Sequence, residues 1–100
     1  MKIDYKNKKL EKTMSDDRLI KKEYGRLADR ITDVLDELEV AENLGQIPEV
    51  PPDRRHKMTS EFCTWSIDLS KNYRMWVQSD GEEDPKLVTE VTIVKIFDDH

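Results

Sequence analysis

Three prolines within five positions constrain the folding of this chain more than any other feature of its sequence. They are Pro48, Pro51 and Pro52, in the segment GQIPEVPPDRR at residues 45–55. Proline fixes the backbone φ angle, lacks an amide hydrogen and disfavours helical geometry in the residue before it. A helix therefore cannot run through this segment, and it divides the sequence into two parts.

The part before the prolines has the period of amphipathic helices. Apolar residues recur there at spacings of three, four and seven: Leu10, Met14, Leu19, Ile20, Tyr24, Leu27, Ile31, Val34, Leu35 and Leu38. Ser15 is predicted to cap a helix start and Gly25 to break the helical run, so one or two short helices should precede a longer one over about 26–43. A short strand is predicted ahead of them in KIDY, residues 2–5.

The part after the prolines changes to the period of β-strands. The segments TWSIDL (64–69) and YRMWV (73–77) alternate around the turn SKN, and KLVTEVTIVKIF (86–97) is apolar on both faces, as expected at the centre of a sheet. The order predicts one α+β domain over residues 1–100. We expect two N-terminal helices packed on one face of a small, curved, mainly antiparallel sheet.

Composition excludes several classes of function. No segment approaches the roughly 20 apolar residues that cross a bilayer, and the N-terminus lacks a signal-peptide apolar region, so we expect a cytoplasmic protein without membrane contact. The three isolated glycines form no phosphate-binding loop, and the single cysteine, Cys63, forms neither an internal disulfide nor a cysteine-based zinc cluster. The two histidines lack partners at metal-ligand spacing. We expect neither a cofactor nor a metal.

The net charge of −5 is unevenly distributed along the chain. Residues 31–53 carry a net −7 and residues 79–100 a net −5, whereas residues 54–78 carry a net +3. A polyanion responds to the local potential, so the hairpin region is suited to nucleic acid despite the acidic total.

Alternation places Arg74 on the sheet face that the helices leave uncovered, together with Ser66, Asp68 and Trp76. Two interpretations follow. Arg74 could form an ordinary cross-strand salt bridge with Asp68, or it could bind a phosphate group. Trp76 could stack on Arg74 or receive a nucleobase. The pattern alone leaves these alternatives open.

Other candidate residues converge on the same region. Residues 54–57 enter the sheet beside Arg74, with Lys57 on the face opposite His56, and the tail ending in His100 leaves nearby. Arginine for the phosphate and histidine for proton transfer are the side chains required for metal-free attack of a ribose 2′-hydroxyl on the adjacent phosphorus. The set therefore fits RNA cleavage as well as a plain surface.

Three segments resemble the plasmid maintenance killer proteins, the HigB-type branch of the RelE/ParE toxin superfamily. They are AENLGQIPEVPPDRRH (41–56), WSIDLSKNYRM (65–75) and DDH (98–100), and the similarity covers about residues 1–78 and 88–100. The resemblance implies a RelE/ParE-like fold and a ribosome-dependent mRNA endoribonuclease. It also implies a helix-turn-helix antitoxin of the HigA type as partner, with operator DNA contacted only through that antitoxin.

The resemblance assigns roles to particular residues. His56, Arg74 and His100 are the candidate catalytic residues. The candidate RNA-binding residues are Arg54, Arg55, Lys57, Lys71 and Trp76. Thr59 and Asp99 stand where the family usually has lysine and tyrosine. Two alternatives therefore remain, a non-nuclease toxin of the same fold, such as a DNA gyrase inhibitor, and a module that has lost toxicity and binds its antitoxin.

Overall fold

Five strands and three α-helices make up the structure, a computed structural model that describes residues 1–99. The strands are β1 (Lys2–Tyr5), β2 (His56–Lys57), β3 (Thr64–Asp68), β4 (Tyr73–Gln78) and β5 (Glu90–Asp98). The α-helices are α1 (Lys8–Met14), α2 (Asp17–Tyr24) and α3 (Ala28–Val40), and short 3-10 helices lie at Gly25–Leu27, Leu44–Gln46 and Pro85–Leu87. The predicted α+β class is confirmed, and the proline segment separates the α-helices from four of the strands.

The prediction of two N-terminal helices packed on the sheet is wrong for the helical part of the chain. Strand β1 comes first, as the KIDY pattern indicates, and three α-helices follow it. Ser15 ends α1 instead of starting a helix, and the carboxylate of Asp16 caps α2 by accepting a hydrogen bond of 2.9 Å from the backbone N–H of Arg18. Gly25 ends α2 with a φ of 54°, which glycine adopts without strain. The helical run therefore has two breaks.

The sheet is mixed, with the strand order β1-β5-β4-β3-β2. Strand β1 pairs in parallel with β5, and the other three pairings are antiparallel. The predicted hairpin of β3 and β4 is confirmed, with Asp68 opposite Arg74. The last strand begins at Glu90, four residues later than its pattern predicts, because Pro85–Leu87 forms a 3-10 helix.

The helices cover one face of the sheet and form the core with it. Trp65 and Ile67 of β3, Met75 of β4 and Ile93 of β5 are all fully buried on this face. The helices contribute Ile20, Ile31, Val34 and Leu38, which are also buried. These residues are the apolar positions of the periodic patterns, so the hydrophobic effect accounts for the side of the sheet that the helices occupy. We call the opposite side the open face.

A β-bulge in β5 determines which residues reach the open face. Trp76 pairs with Lys95, whereas the next residue of β4, Val77, pairs with Ile93, so Val94 is an extra residue. An extra residue shifts the alternation of side chains by one position. If the same sequence alternated regularly, without a bulge, Lys95 would share the core face with Ile93. Because of the bulge, Lys95 projects from the open face.

Candidate functional site on the open face

One row of side chains crosses the open face from β2 to β5. His56 lies opposite Ser66, Ser66 opposite Trp76, and Trp76 opposite Lys95. Residues directly opposite each other in antiparallel strands share a face, so these four side chains project on the same side. His56 and Lys95 are exposed at the two ends of the row. Three spacings of about 4.8 Å separate them by roughly 14 Å.

His56 has an imidazole placed for proton transfer. Its Nδ1 lies 3.1 Å from the carbonyl oxygen of Arg54. A neutral His56 that donates from Nδ1 to this carbonyl keeps the lone pair on Nε2. The exposed edge strand therefore presents a ring nitrogen that can accept a proton.

Arg74 is held inside the hairpin. Its Nε lies 3.1 Å from Oδ1 of Asp68, and the side chain is only 13% exposed. Nη1 donates to the carbonyl oxygens of Ser70 at 2.8 Å and Tyr73 at 3.0 Å, and Nη2 donates to that of Lys71 at 3.2 Å. These contacts agree with the first interpretation of Arg74, a cross-strand salt bridge with Asp68. The guanidinium also links the carbonyl groups of the turn between β3 and β4.

Arg54 reaches the other oxygen of the same carboxylate. Its Nε donates to Oδ2 of Asp68 at 2.5 Å, and its side chain is 50% exposed. This hydrogen bond raises the pKa of Arg54 above its ordinary value, so the guanidinium stays charged. The backbone of Arg54 has a φ of 41°, in the left-handed region that residues other than glycine seldom adopt. Two arginines therefore share one carboxylate, and this group keeps one net positive charge.

Arg55 and Lys57 are not brought to the open face. Nε of Arg55 donates to the carbonyl oxygen of Ile47 at 2.8 Å, and the side chain is 7% exposed beneath the proline segment. Lys57 pairs with Trp65, whose ring faces the core, and its Nζ lies 3.3 Å from a carboxylate oxygen of Glu83. Strand alternation predicts this placement of Lys57. Because Arg55 is buried, it is not one of the exposed cations.

The remaining predicted residues are Lys71, Trp76 and His100. Lys71 is exposed in the turn between β3 and β4, and Trp76 lies half-buried in the middle of the row. His100 lies outside the described residues, so its catalytic role stays a prediction. The chain before it runs beside the hairpin turn, since the backbone N–H of Asp99 donates to the carbonyl oxygen of Asn72 at 2.5 Å.

Two residues of the open face are missed by the sequence patterns. Nζ of Lys95 lies 4.4 Å from the ring centres of both Trp76 and Phe97. The two rings meet edge to face, with centroids 5.1 Å apart. The pattern of the last strand hides Lys95 and Phe97 because a simple alternation ignores the bulge at Val94. A lysine inside an otherwise apolar strand was the available signal.

A second charged cluster lies away from the open face. Nη2 of Arg30 donates to Asp53 at 2.6 Å and to the carbonyl oxygen of Asp68 at 2.8 Å, which links α3 to the proline segment and to the end of β3. A hydrogen bond with Asp53, burial and the charge of Asp53 raise the pKa of Glu37 to about 7, against the opposing effect of Arg30.

A cavity adjoins this second cluster and has an acidic lining. It measures about 720 Å³ and is lined by Arg30, Asp33, Asp36, Glu37, Val40, Ala41, Gln46, Ile47 and Pro52. Three carboxyl groups against one guanidinium disfavour a phosphate ligand there. The open face, not this cavity, is therefore the candidate site for a polyanion.

Comparisons of the chain with protein-family models, with curated proteins and with solved structures found no match. Within residues 1–99, no group of three or more histidine, cysteine, aspartate or glutamate residues is arranged to hold a metal ion. No helix in the same residues has the length and apolar composition needed to span a bilayer. The geometry describes an α+β domain with cationic and aromatic side chains on an uncovered sheet face.

Proposed function

We propose that the protein is a RelE/ParE-like toxin of a toxin-antitoxin pair, acting in the cytoplasm as a ribosome-dependent mRNA endoribonuclease. The resemblance over residues 41–56 and 65–75 supports the proposal. The observation that carries it is the row that places the imidazole of His56 and the ammonium of Lys95 on one uncovered sheet face. Cations, an imidazole and aromatic rings on one surface are suited to binding and cleaving RNA.

In the proposed reaction, Nε2 of His56 accepts the proton of a ribose 2′-hydroxyl. The freed oxygen attacks the adjacent phosphorus, the bond to the 5′-oxygen breaks, and a 2′,3′-cyclic phosphate forms. The exposed guanidinium of Arg54 neutralises the growing charge on the phosphate oxygens. His100 remains the predicted donor of a proton to the leaving 5′-oxygen.

The contacts of Arg74 change the role that we propose for it. Its guanidinium forms an ion pair with Asp68, and its Nη groups donate to carbonyl oxygens of the hairpin turn. We therefore propose Arg74 as a positioning residue, which fixes Asp68 and through it the guanidinium of Arg54. This role differs from the prediction that Arg74 clamps the scissile phosphate directly, which the small exposed surface of its side chain disfavours.

An antitoxin-binding module without nuclease activity is the second candidate. The salt bridges of Arg54 and Arg74 to Asp68 favour it, since they occupy both arginines internally. The departures at Thr59 and Asp99 favour it as well. A helix-turn-helix antitoxin is the proposed protein partner in both cases.

Induction of the protein alone in cells, with growth and new mRNA 5′ ends measured together, separates the two candidates. For the nuclease we expect growth arrest and new ends at ribosome-covered positions. His56→Gln should lower the cleavage rate by about 100-fold or more, as removal of a general base does. Lys22→Gln, on the exposed surface of α2, is the matched control and should cleave like the wild type. Normal growth with intact mRNA would support the antitoxin-binding module instead.

A further inference from the structure

Lys95 differs from the other cations of the hairpin region in its surroundings. Arg54 and Arg74 contact Asp68, and Lys57 contacts Glu83. Among residues 1–99, Lys95 forms no salt bridge, and its ammonium lies against two aromatic rings. No carboxylate of the described part of the chain therefore lies within salt-bridge distance of its ammonium.

The two rings fix the ammonium of Lys95 without occupying its hydrogen-bond donors. The ring faces of Trp76 and Phe97 attract a cation electrostatically, and Nζ lies 4.4 Å from each ring centre, against both rings. An ammonium carries three N–H groups, and aromatic contact leaves these groups able to donate to oxygen. A lysine held in this way loses less side-chain freedom when it binds an anion than an unrestrained lysine does.

Folding alone gives no reason for tryptophan in the middle of this row. The indole Nε1 of Trp76 is buried and has no hydrogen-bond partner among residues 1–99. Buried indole N–H groups usually have a partner, and an unpaired one is unfavourable for stability. A purely apolar ring would fill the same space without that penalty. The wider π face of tryptophan, which binds cations best, is the property that Lys95 uses.

We infer that Lys95 is a phosphate-binding residue for single-stranded RNA, held in position by Trp76 and Phe97. The inference rests on the proposed function, since RNA is the polyanion concerned. His56 and Lys95 lie at opposite ends of one row, roughly 14 Å apart by strand spacing. A strand of RNA with its cleaved bond at His56 therefore meets Lys95 at a flanking phosphate, away from the reacting atoms.

The test measures the affinity of the full chain for a short single-stranded 2′-O-methyl RNA, which cannot be cleaved, at a series of salt concentrations. Lys95→Met keeps an unbranched side chain against the rings and removes the charge. Loss of one phosphate contact should weaken binding and reduce the slope of log K against log salt by about 0.7. Lys95→Arg should restore both quantities, because it restores the cation.

Two further variants separate a specific contact from a general effect of charge. Lys22→Met removes one positive charge from the exposed surface of α2 and should leave the salt slope unchanged. Phe97→Leu removes one of the two rings and should weaken binding by about two- to fivefold, as expected for one cation–π contact. Circular dichroism checks that each variant is folded, and Lys95→Gln replaces Lys95→Met if the latter does not fold.

The outcomes distinguish the inference from the function on which it rests. A Lys95→Met variant with the affinity and salt slope of the wild type overturns the inference alone. Wild-type protein that cleaves mRNA on ribosomes but does not bind the probe also overturns only the inference. Absence of both cleavage and binding in the wild type overturns the inference and the proposed function together.

Discussion

Arg54 and Arg55 are adjacent in the chain and have opposite environments. Arg54 is half-exposed beside Asp68, whereas Arg55 is buried and donates to the carbonyl oxygen of Ile47. Between them the chain turns through the left-handed φ of Arg54. Both residues are predicted from the sequence to bind RNA. The backbone conformation separates them into a surface cation and a structural one.

Substitution of each arginine by methionine should therefore affect different properties. Arg55→Met leaves the carbonyl oxygen of Ile47 unpaired in the interior and should lower the free energy of unfolding by about 2–4 kcal/mol. Arg54→Met should change stability less and weaken RNA binding. Urea unfolding and binding to the 2′-O-methyl probe measure the two effects. Equal losses of stability in the two variants would contradict the assignment.

Asp68 shows how far strand alternation predicts a contact. The alternation places Arg74 and Asp68 on one face and offers a cross-strand salt bridge as one of two interpretations. The structure has this salt bridge, with 3.1 Å between Nε and Oδ1. It also adds Arg54 to the same carboxylate, which alternation could not predict because Arg54 precedes the strand.

At the level of secondary structure, the bulge in β5 has the largest effect on the candidate site. One extra residue, Val94, moves Lys95 to the open face, where it meets Trp76. Bulges have no fixed sequence signature in a strand with apolar residues on both faces. The sequence therefore predicts the strand and misses the side to which its lysine projects.

Deletion of Val94 should leave the protein folded. It makes Lys95 the direct neighbour of Ile93 in the strand, so simple alternation keeps Lys95 and Phe97 on the open face and Ile96 on the core face. The pairing of β5 with β4 is then the same without the bulge. Val94→Ala keeps the number of residues and is the matched control, which should give a native circular dichroism spectrum and a cooperative urea transition. A deletion variant without a cooperative urea transition would contradict this account of the register.

On the scale of the whole molecule, opposite charges occupy different surfaces. The open face holds Lys95, His56 and two arginines that share the carboxylate of Asp68, whereas the cavity beside α3 is lined by three carboxyl groups and one guanidinium. This separation reconciles a net charge of −5 with a surface suited to a polyanion. The acidic surface also contains Glu37, the carboxyl group whose pKa is raised to about 7.

The stability of the protein should fall as the pH rises through about 7. The folded state holds the pKa of Glu37 at about 7, above its ordinary value of 4.5, so it binds more protons than the unfolded state between these two values. The contribution of Glu37 to the free energy of unfolding is complete below pH 4.5 and is lost as the pH rises through about 7. Urea unfolding midpoints across this range measure the effect.

Glu37→Gln provides the control for this pH dependence. Glutamine keeps an N–H donor for the carboxylate of Asp53 and does not ionise. The variant should therefore lose the contribution of Glu37 to the pH dependence and exceed the wild type in stability above about 7. Parallel pH profiles of the two proteins would exclude Glu37 as the titrating group.

The sequence by itself determined the two parts of the chain, the α+β class, the hairpin and the rows of side chains across it. These features depend on local properties, namely the backbone limits of proline and the periods of apolar residues. Only the tertiary structure decided that Arg55 is buried, that Asp68 holds two arginines and that Lys95 lies against two rings. These contacts join residues that are distant in sequence, or depend on a bulge and a left-handed residue, and apolar periodicity does not encode them.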